Sequence, residues 1–514
     1  MPILFLQELP IYTLLVLLLL PLYYLYSRKA GSRSNNPAEL PTNWPILHMF
    51  PSLVANRHNL HDYCTWVLAG SGHNFRAHSP PGTGMRFFVT CDPANVRHIF
   101  TTNYTNFPKG SEFAAIFDIM SGGIFTIDGE PARRQRAKIK GVFNSPRFVD
   151  NIASYCLHKT EKNLLPLFTN MASVGTPFNV QEMMSRFMFD LAATSLFGVD
   201  PGLLSSEMPA MDAAVALDTV MEVGFFRHII PTSCWKLMRW LNIGPERKLG
   251  KAHTVLRRFV VEMTERWKSN ACHIGNDHSP VDIMSPFLVD PYYADNDELS
   301  RALIISYMVA ARDTVATTLT WLFYKLSQNP NIVSNIRNEL SPIALRKVAS
   351  GAGAIVIFEP TETKSLVYLG AVLYETLRLY PPAAIERKTV ATNDIMPSGH
   401  KVHAGDTIFI CIQSMGRMEG LWGKDCLDYK PDRWLSEDGN NLRYVPSHKF
   451  LAFNSGPRMC LGKDIAIMQM KTVLATTLWN FDVQVVEGQS IQPKSSCILE
   501  MKNGLIVKLK KRVI

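Results

Sequence analysis

The stretch Phe453-Asn454-Ser455-Gly456-Pro457-Arg458-Met459-Cys460-Leu461-Gly462 sets the reading of the whole chain. It places one cysteine between a glycine-containing loop and a long helical pattern, Lys463 to Trp479. A thiol at a helix N-terminus lies near the positive end of the helix dipole and beside unpaired backbone N–H groups. Both favour thiolate, so Cys460 is expected to be a metal ligand or a nucleophile. Gly456 permits a tight turn, and Gly462 leaves room for a large flat group against the loop. Arg458 is a fixed cation on the same loop, suited to pair with a carboxylate.

A lone cysteine is usually a core thiol, and the chain has nine. Here the fixed positions F-x-x-G-x-R-x-C-x-G are all met by Phe453, Gly456, Arg458, Cys460 and Gly462. That string resembles the haem-binding loop of the cytochrome P-450 family. The resemblance implies haem b (iron protoporphyrin IX) with Cys460 as axial thiolate. It also implies Arg458 on a haem propionate and Phe453 packed near the sulfur.

Composition is compatible with that resemblance. The chain has 514 residues, of which 47% are hydrophobic, enough for one large core. The net charge of +9 comes without a long run of one sign, so nucleic acid is not the expected partner. An odd number of cysteines without C-x-x-C argues for a reducing compartment and against a disulfide framework.

Residues 10–26 carry no charge, and this length is near the lower limit for spanning a bilayer. Ser27-Arg28-Lys29 and Arg33 follow, which puts the remainder of the chain in the cytosol by the positive-inside rule. A cleaved signal peptide needs a basic start and a small-residue cleavage site, and neither is present. The expected organisation is a membrane anchor over 1–27, a polar and proline-rich linker over 28–50 and a catalytic domain over 51–514. Met85 to Cys91 reads as a strand and Asp92 to Thr101 as a short helix.

Glu298 to Ser327 is the longest helical pattern, roughly 45 Å at the usual rise. It is apolar nearly all round, as in a buried central helix. In its middle sits Ala310-Ala311-Arg312-Asp313-Thr314, and buried charge requires a reason. One reading is a structural ion pair, with the threonine bonding back to a carbonyl one turn earlier. The other is a proton relay through Asp313 and Thr314, with small Ala310 leaving space for a cofactor. The segment fits the family's A-G/A-x-D-T pattern, with Val315 where many relatives have a second threonine.

Glu375 and Arg378 are three apart on a pattern read as a helix, Leu369 to Tyr380, among apolar neighbours. Arg433, in Pro431-Asp432-Arg433-Trp434, is the expected third member of a buried network. By resemblance these three stabilise the fold. Asp128 opens a basic helix in which Arg136 fits the second position of the family's W-x-x-x-R; Ala132 stands at the first. The resemblance makes Arg136 a propionate ligand and gives this helix a role in docking a reductase. It also assigns Phe113, Phe117, Ala384 and Ile385 to a substrate chamber. The tail from Cys497 to Lys511 reads as a hairpin around Asn503-Gly504.

The implied fold is mainly α-helical with a small β-rich part and an N-terminal transmembrane helix. The implied activity is monooxygenation with O2, using electrons from an NADPH-dependent flavoprotein reductase at the endoplasmic reticulum membrane. Asn106-Phe107-Pro108-Lys109-Gly110 and Met415-Gly416-Arg417-Met418 look most like plant fatty-acid ω-hydroxylases and mid-chain alkane hydroxylases. A hydrophobic small molecule is therefore expected, a long-chain fatty acid or alkane. Oxidative phenol coupling in alkaloid synthesis, a reductase-independent haem-thiolate isomerase or dehydratase, and a haem-binding membrane protein without turnover remain open at this point.

Overall fold

The segment from Asp297 to Ser327 runs through the centre of the molecule in the computed structural model, which describes residues 48–512 apart from 79–82, 274–281, 289, 295 and 352–354. The expected anchor over 1–27 and nearly all of the expected linker over 28–50 lie outside the described residues. The Asn296 side chain caps the start of the central helix by accepting from the Leu299 N–H at 2.9 Å. The helix is not uniform. It is α-helical over Asp297–Met308, widens to a π turn over Val309–Asp313, and resumes over Thr314–Ser327. Its first half packs with Phe113, Phe117 and Met221 in one apolar core. Its second half packs with Val372, Met470 and Leu474 in another. The polar residues Arg312 and Asp313 thus sit at the change-over between two cores.

The chain is mainly α-helical, with three small sheets among the described residues. Arg86–Thr90 (β2), with the apolar run Phe87-Phe88-Val89, pairs antiparallel with Asn74–His78 (β1). Ile385–Thr389 (β4) and Thr407–Cys411 (β7) complete a four-stranded sheet of order β1-β2-β7-β4, and Asp394–Ile395 (β5) pairs antiparallel with Lys401–Val402 (β6). Asp92 caps the short helix Pro93–Arg97 through the Ala94 N–H, as its position before the proline predicts.

The C-terminal hairpin expectation is corrected. Ile506–Lys511 (β9) pairs with Phe481–Val485 (β8) and with Phe178–Asn179 (β3), not with residues 497–502. Those residues are drawn inward instead. The Leu499 N–H reaches the Pro382 carbonyl at 2.8 Å, and its own carbonyl accepts from the Trp321 indole at 2.6 Å. Gly504 has φ +69°, and a Cβ there would fall 2.3 Å from the Asn179 amide.

Glu375 and Arg378 lie on the helix Val367–Leu379 and are fully buried. Arg378 donates Nε and Nη2 to the two Glu375 oxygens, each at 2.7 Å. Arg433 adds a bond to Glu375 at 3.0 Å, the Trp434 indole one at 2.9 Å and the Lys430 N–H one at 2.8 Å. The rest of the Arg378 fork goes to the carbonyls of Gly416, Cys426 and Asp428. Arg433 therefore completes the carboxylate, while backbone oxygens complete the guanidinium. This knot clamps residues 416–434, the segment leading into the cysteine loop.

Candidate active site

The cysteine loop is built by backbone geometry. Asn454 (φ +61°) and Gly456 (φ +57°) turn the chain sharply, and the Cys460 N–H closes the loop on the Phe453 carbonyl at 2.8 Å. A Cβ at Gly456 would lie 2.0 Å from the Phe100 carbonyl oxygen. Gly456 is thus required by close approach to Phe100, and it does not border the cavity. Gly462 does border it, and a Cβ there would meet only Phe143, at 3.7 Å. The helix Lys463–Asn480 follows.

Cys460 opens onto a cavity of about 340 Å³. Phe453, Leu461 and Gly462 line the same wall, and Ala310, Ala311 and Thr314 of the central helix line another. Arg136 and Arg458 border it as well. The thiol is accessible to the cavity yet surrounded by protein, and burial raises its pKa. The Gly462 N–H, Arg136 and Lys463 pull it the other way. The backbone N–H at the start of the helix favours thiolate as expected, and desolvation, which depends on tertiary surroundings, opposes it.

Arg458 already has a carboxylate within the protein, Asp128 at 2.6 Å, and reaches the Ile127 carbonyl at 2.5 Å. Its Nε is buried without a partner among the described residues. Arg136 donates to the Met459 carbonyl at 2.5 Å. Sequence reasoning missed Lys109 and Glu386, which form a buried ion pair of 2.6 Å at the cavity edge. Their spacing in sequence carries no signal for it.

A second cavity, of about 240 Å³, adjoins the first. Ser306, Ala310 and Thr314 border both. Its wall is mostly apolar and includes Phe113, Phe117, Phe225, Phe409 and Ile385. Ala383 and Ile385 line it, whereas Ala384 between them does not; successive residues of an extended chain face opposite ways. Ala384 is buried and engages Gln413 through its carbonyl.

Asp313 borders neither of these cavities. It faces a third, polar one of about 390 Å³ with Asp218, Arg312 and Glu500. Arg312 bonds Asp313 at 2.7 Å and Asp218 at 2.6 Å. The Thr314 hydroxyl donates to the Ala310 carbonyl at 2.8 Å. The resting arrangement is thus an ion pair and a back-bonded alcohol, the structural reading of this segment. Burial raises the Asp313 pKa to about 8; Arg312 opposes the shift, and Asp218 and Glu500 add to it. Arg312 pairs with Asp218 and Asp313, and Lys494 lies 3.6 Å from Glu500, so two cations face the three carboxyls.

The family model for cytochrome P450 matches residues 38–509. The chain belongs to the cytochrome P450 family. This P450 is 35% identical over 503 residues to noroxomaritidine synthase of Narcissus aff. pseudonarcissus MK-2014, covering 97% of this chain and 96% of that protein. It is 36% identical over 478 residues to alkane hydroxylase MAH1 of Arabidopsis thaliana, covering 92% and 93%. To cytochrome P450 86B1 of the same plant it is 34% identical over 480 residues, covering 92% and 86%.

Family membership makes the protein a haem-thiolate monooxygenase that takes O2, electrons from a redox partner and a small-molecule substrate. The pocket fits haem on its own terms. Cys460 is the one thiol bordering it among the described residues, Gly462 leaves its wall open, and the Arg458 Nε is an unused donor.

Proposed function

We propose that this P450 hydroxylates a long-chain aliphatic substrate, a fatty acid or an alkane. The observation that carries this reading is the junction at Ala310 and Thr314. There the Cys460 cavity meets a chamber lined mainly by aromatic and aliphatic side chains. A flexible chain gains by burying its carbons in such a chamber.

Haem bound by Cys460 would supply O2 activation and accept electrons one at a time. Arg136 and Arg458 would hold its propionates, Phe453 and Gly462 would flank it, and Ala310 would leave room on the opposite face. The side chains themselves do three things. Phe113, Phe117 and Ile385 exclude water and orient the chain. Thr314 holds a proton donor at the junction. Asp313 stores a proton behind the helix and reaches the junction by rotation of its side chain or through solvent.

Electrons would come from an NADPH-dependent flavoprotein reductase docking on the exposed Arg133, Arg134 and Lys140 of the helix Gly129–Phe143. Residues 10–26 would anchor the protein in the endoplasmic reticulum membrane with the catalytic domain in the cytosol. The second reading, oxidative phenol coupling, is favoured by the likeness to noroxomaritidine synthase over nearly the whole chain. A panel of alkanes, fatty acids and phenolic amines separates the two. Aliphatic members are expected to shift the haem spin state and to drive reductase-dependent NADPH use with hydroxylated product. A response confined to the phenolic amines overturns the aliphatic reading.

A further inference from the structure

The apolar chamber contains a polar station that sits away from Cys460. Arg387, on β4, lines the chamber but not the Cys460 cavity, and is 7% exposed. Its Nη2 donates to Glu112 at 2.5 Å and to the Thr407 hydroxyl at 3.1 Å. Its Nη1 lies 3.5 Å from the His228 Nδ1. Its Nε has no partner among the described residues. His61, also 7% exposed and lining the chamber, carries a second orphan, its Nε2.

These groups bring little net charge. Burial holds His228 well below its ordinary pKa, with Arg387 and Lys109 adding to the effect. Burial holds His61 at about 4, helped by Arg417. Both imidazoles are neutral near pH 7, and Glu112 balances Arg387. The station is therefore a set of hydrogen-bonding groups rather than a free cation. A buried N–H without a partner is costly, and a ligand that supplies the missing acceptor recovers that cost.

We infer that the preferred substrate is an elongated apolar molecule bearing an oxygen acceptor, which bonds the free Nε of Arg387 while the carbon chain extends toward Thr314. This rests on the aliphatic reading above and narrows it: a bare hydrocarbon leaves the donor unpaired. Sites built to bond a substrate oxygen discriminate strongly against analogues lacking it.

The test uses the full-length, haem-loaded protein. Dodecane, 1-dodecanol and dodecanoic acid are titrated separately while the substrate-induced spin-state shift is followed. At least one oxygenated compound is expected to half-saturate at a concentration at least ~10-fold below that of dodecane. The alcohol and acid arms tell a neutral head from an anionic one. Arg387→Met is expected to abolish the preference, bringing the oxygenated compounds to within a few-fold of dodecane. Should that variant fail to take up haem, Arg387→Lys keeps a cation for Glu112 but lacks the Nε, and it too should lose the preference. Equal affinities in the unaltered protein, or a variant that weakens all three compounds alike, overturns the inference and leaves the aliphatic reading intact. No shift with any of the three compounds overturns both.

Discussion

Asp313 and Thr314 are adjacent in the chain yet open onto different cavities on different sides of the central helix. Thr314 faces the junction of the Cys460 cavity and the substrate chamber; Asp313 faces Asp218 and Glu500. Asp313 is the last residue of the π turn, and Thr314 opens the α-helical half that follows. Such turns interrupt the regular hydrogen-bond ladder and recur at functional sites. On the proposed function, the pair would separate two tasks, proton storage behind the helix and proton placement in front of it.

Thr314→Ala tests the second task. The variant should fold, because Thr314 bonds only its own helix, at the Ala310 carbonyl. NADPH consumption is expected to continue while product per NADPH falls by ~10-fold or more, at the low end for loss of a positioned proton donor. Unchanged coupling removes Thr314 from the relay.

The buried carboxyls predict a pH dependence of stability. Burial raises Asp313 to about 8 and Glu500 to about 7, the latter also pushed up by Asp218. Both hold protons more tightly folded than unfolded. Their contribution to stability is complete below the ordinary carboxylate pKa of ~4 and is lost as pH rises through 7 to 8. Urea unfolding between pH 5 and 8 should show stability falling with pH. Asp313→Asn should flatten that slope by on the order of 1 kcal/mol per pH unit. A parallel slope in the variant would show that Asp313 does not carry the proton.

Glu375 accepts from Arg378, Arg433, the Trp434 indole and the Lys430 N–H inside a fully buried site. Glu375→Ala leaves two guanidinium groups without their carboxylate. Breaking a buried pair from one side costs about 3–5 kcal/mol, a large part of the stability of an ordinary domain. The expected outcome is loss of folded protein, read as loss of near-UV circular dichroism and of haem uptake. Arg433→Lys keeps a cation at the less buried position and should retain both.

The sequence made Cys460, the central helix and the Glu375–Arg378 pair legible because each is encoded by local spacing; Arg433, on a separate element, came from the family resemblance. Glycine at Gly456, an apolar helix interrupted by charge, and two charges on one helix face are all short-range signals. What stayed hidden is long-range. Asp128 meets Arg458, Lys109 meets Glu386, and Glu112 meets Arg387 across separate elements. No periodicity links such partners. The tail failed for the same reason: its alternation fits a strand, but its partner is β8 rather than its own other arm. Cys460 was legible as the thiolate ligand because its loop motif is local, whereas the burial that raises its pKa depends on the tertiary surroundings.

Cys460→Ser tests the thiolate ligand directly. With burial raising its pKa, the thiol must give up its proton to bind iron, and the metal supplies the driving force. A serine hydroxyl is a much weaker acid, so the same pocket should not hold it as an anionic ligand. The reduced carbon monoxide spectrum of the variant is expected to lack the red-shifted band of a thiolate-ligated haem, while circular dichroism stays native. Cys497→Ser provides the control, since Cys497 borders the substrate chamber and not the Cys460 cavity. It should keep the band. Survival of the band in Cys460→Ser would require a different axial ligand and would detach the pocket from the chemistry assigned to it.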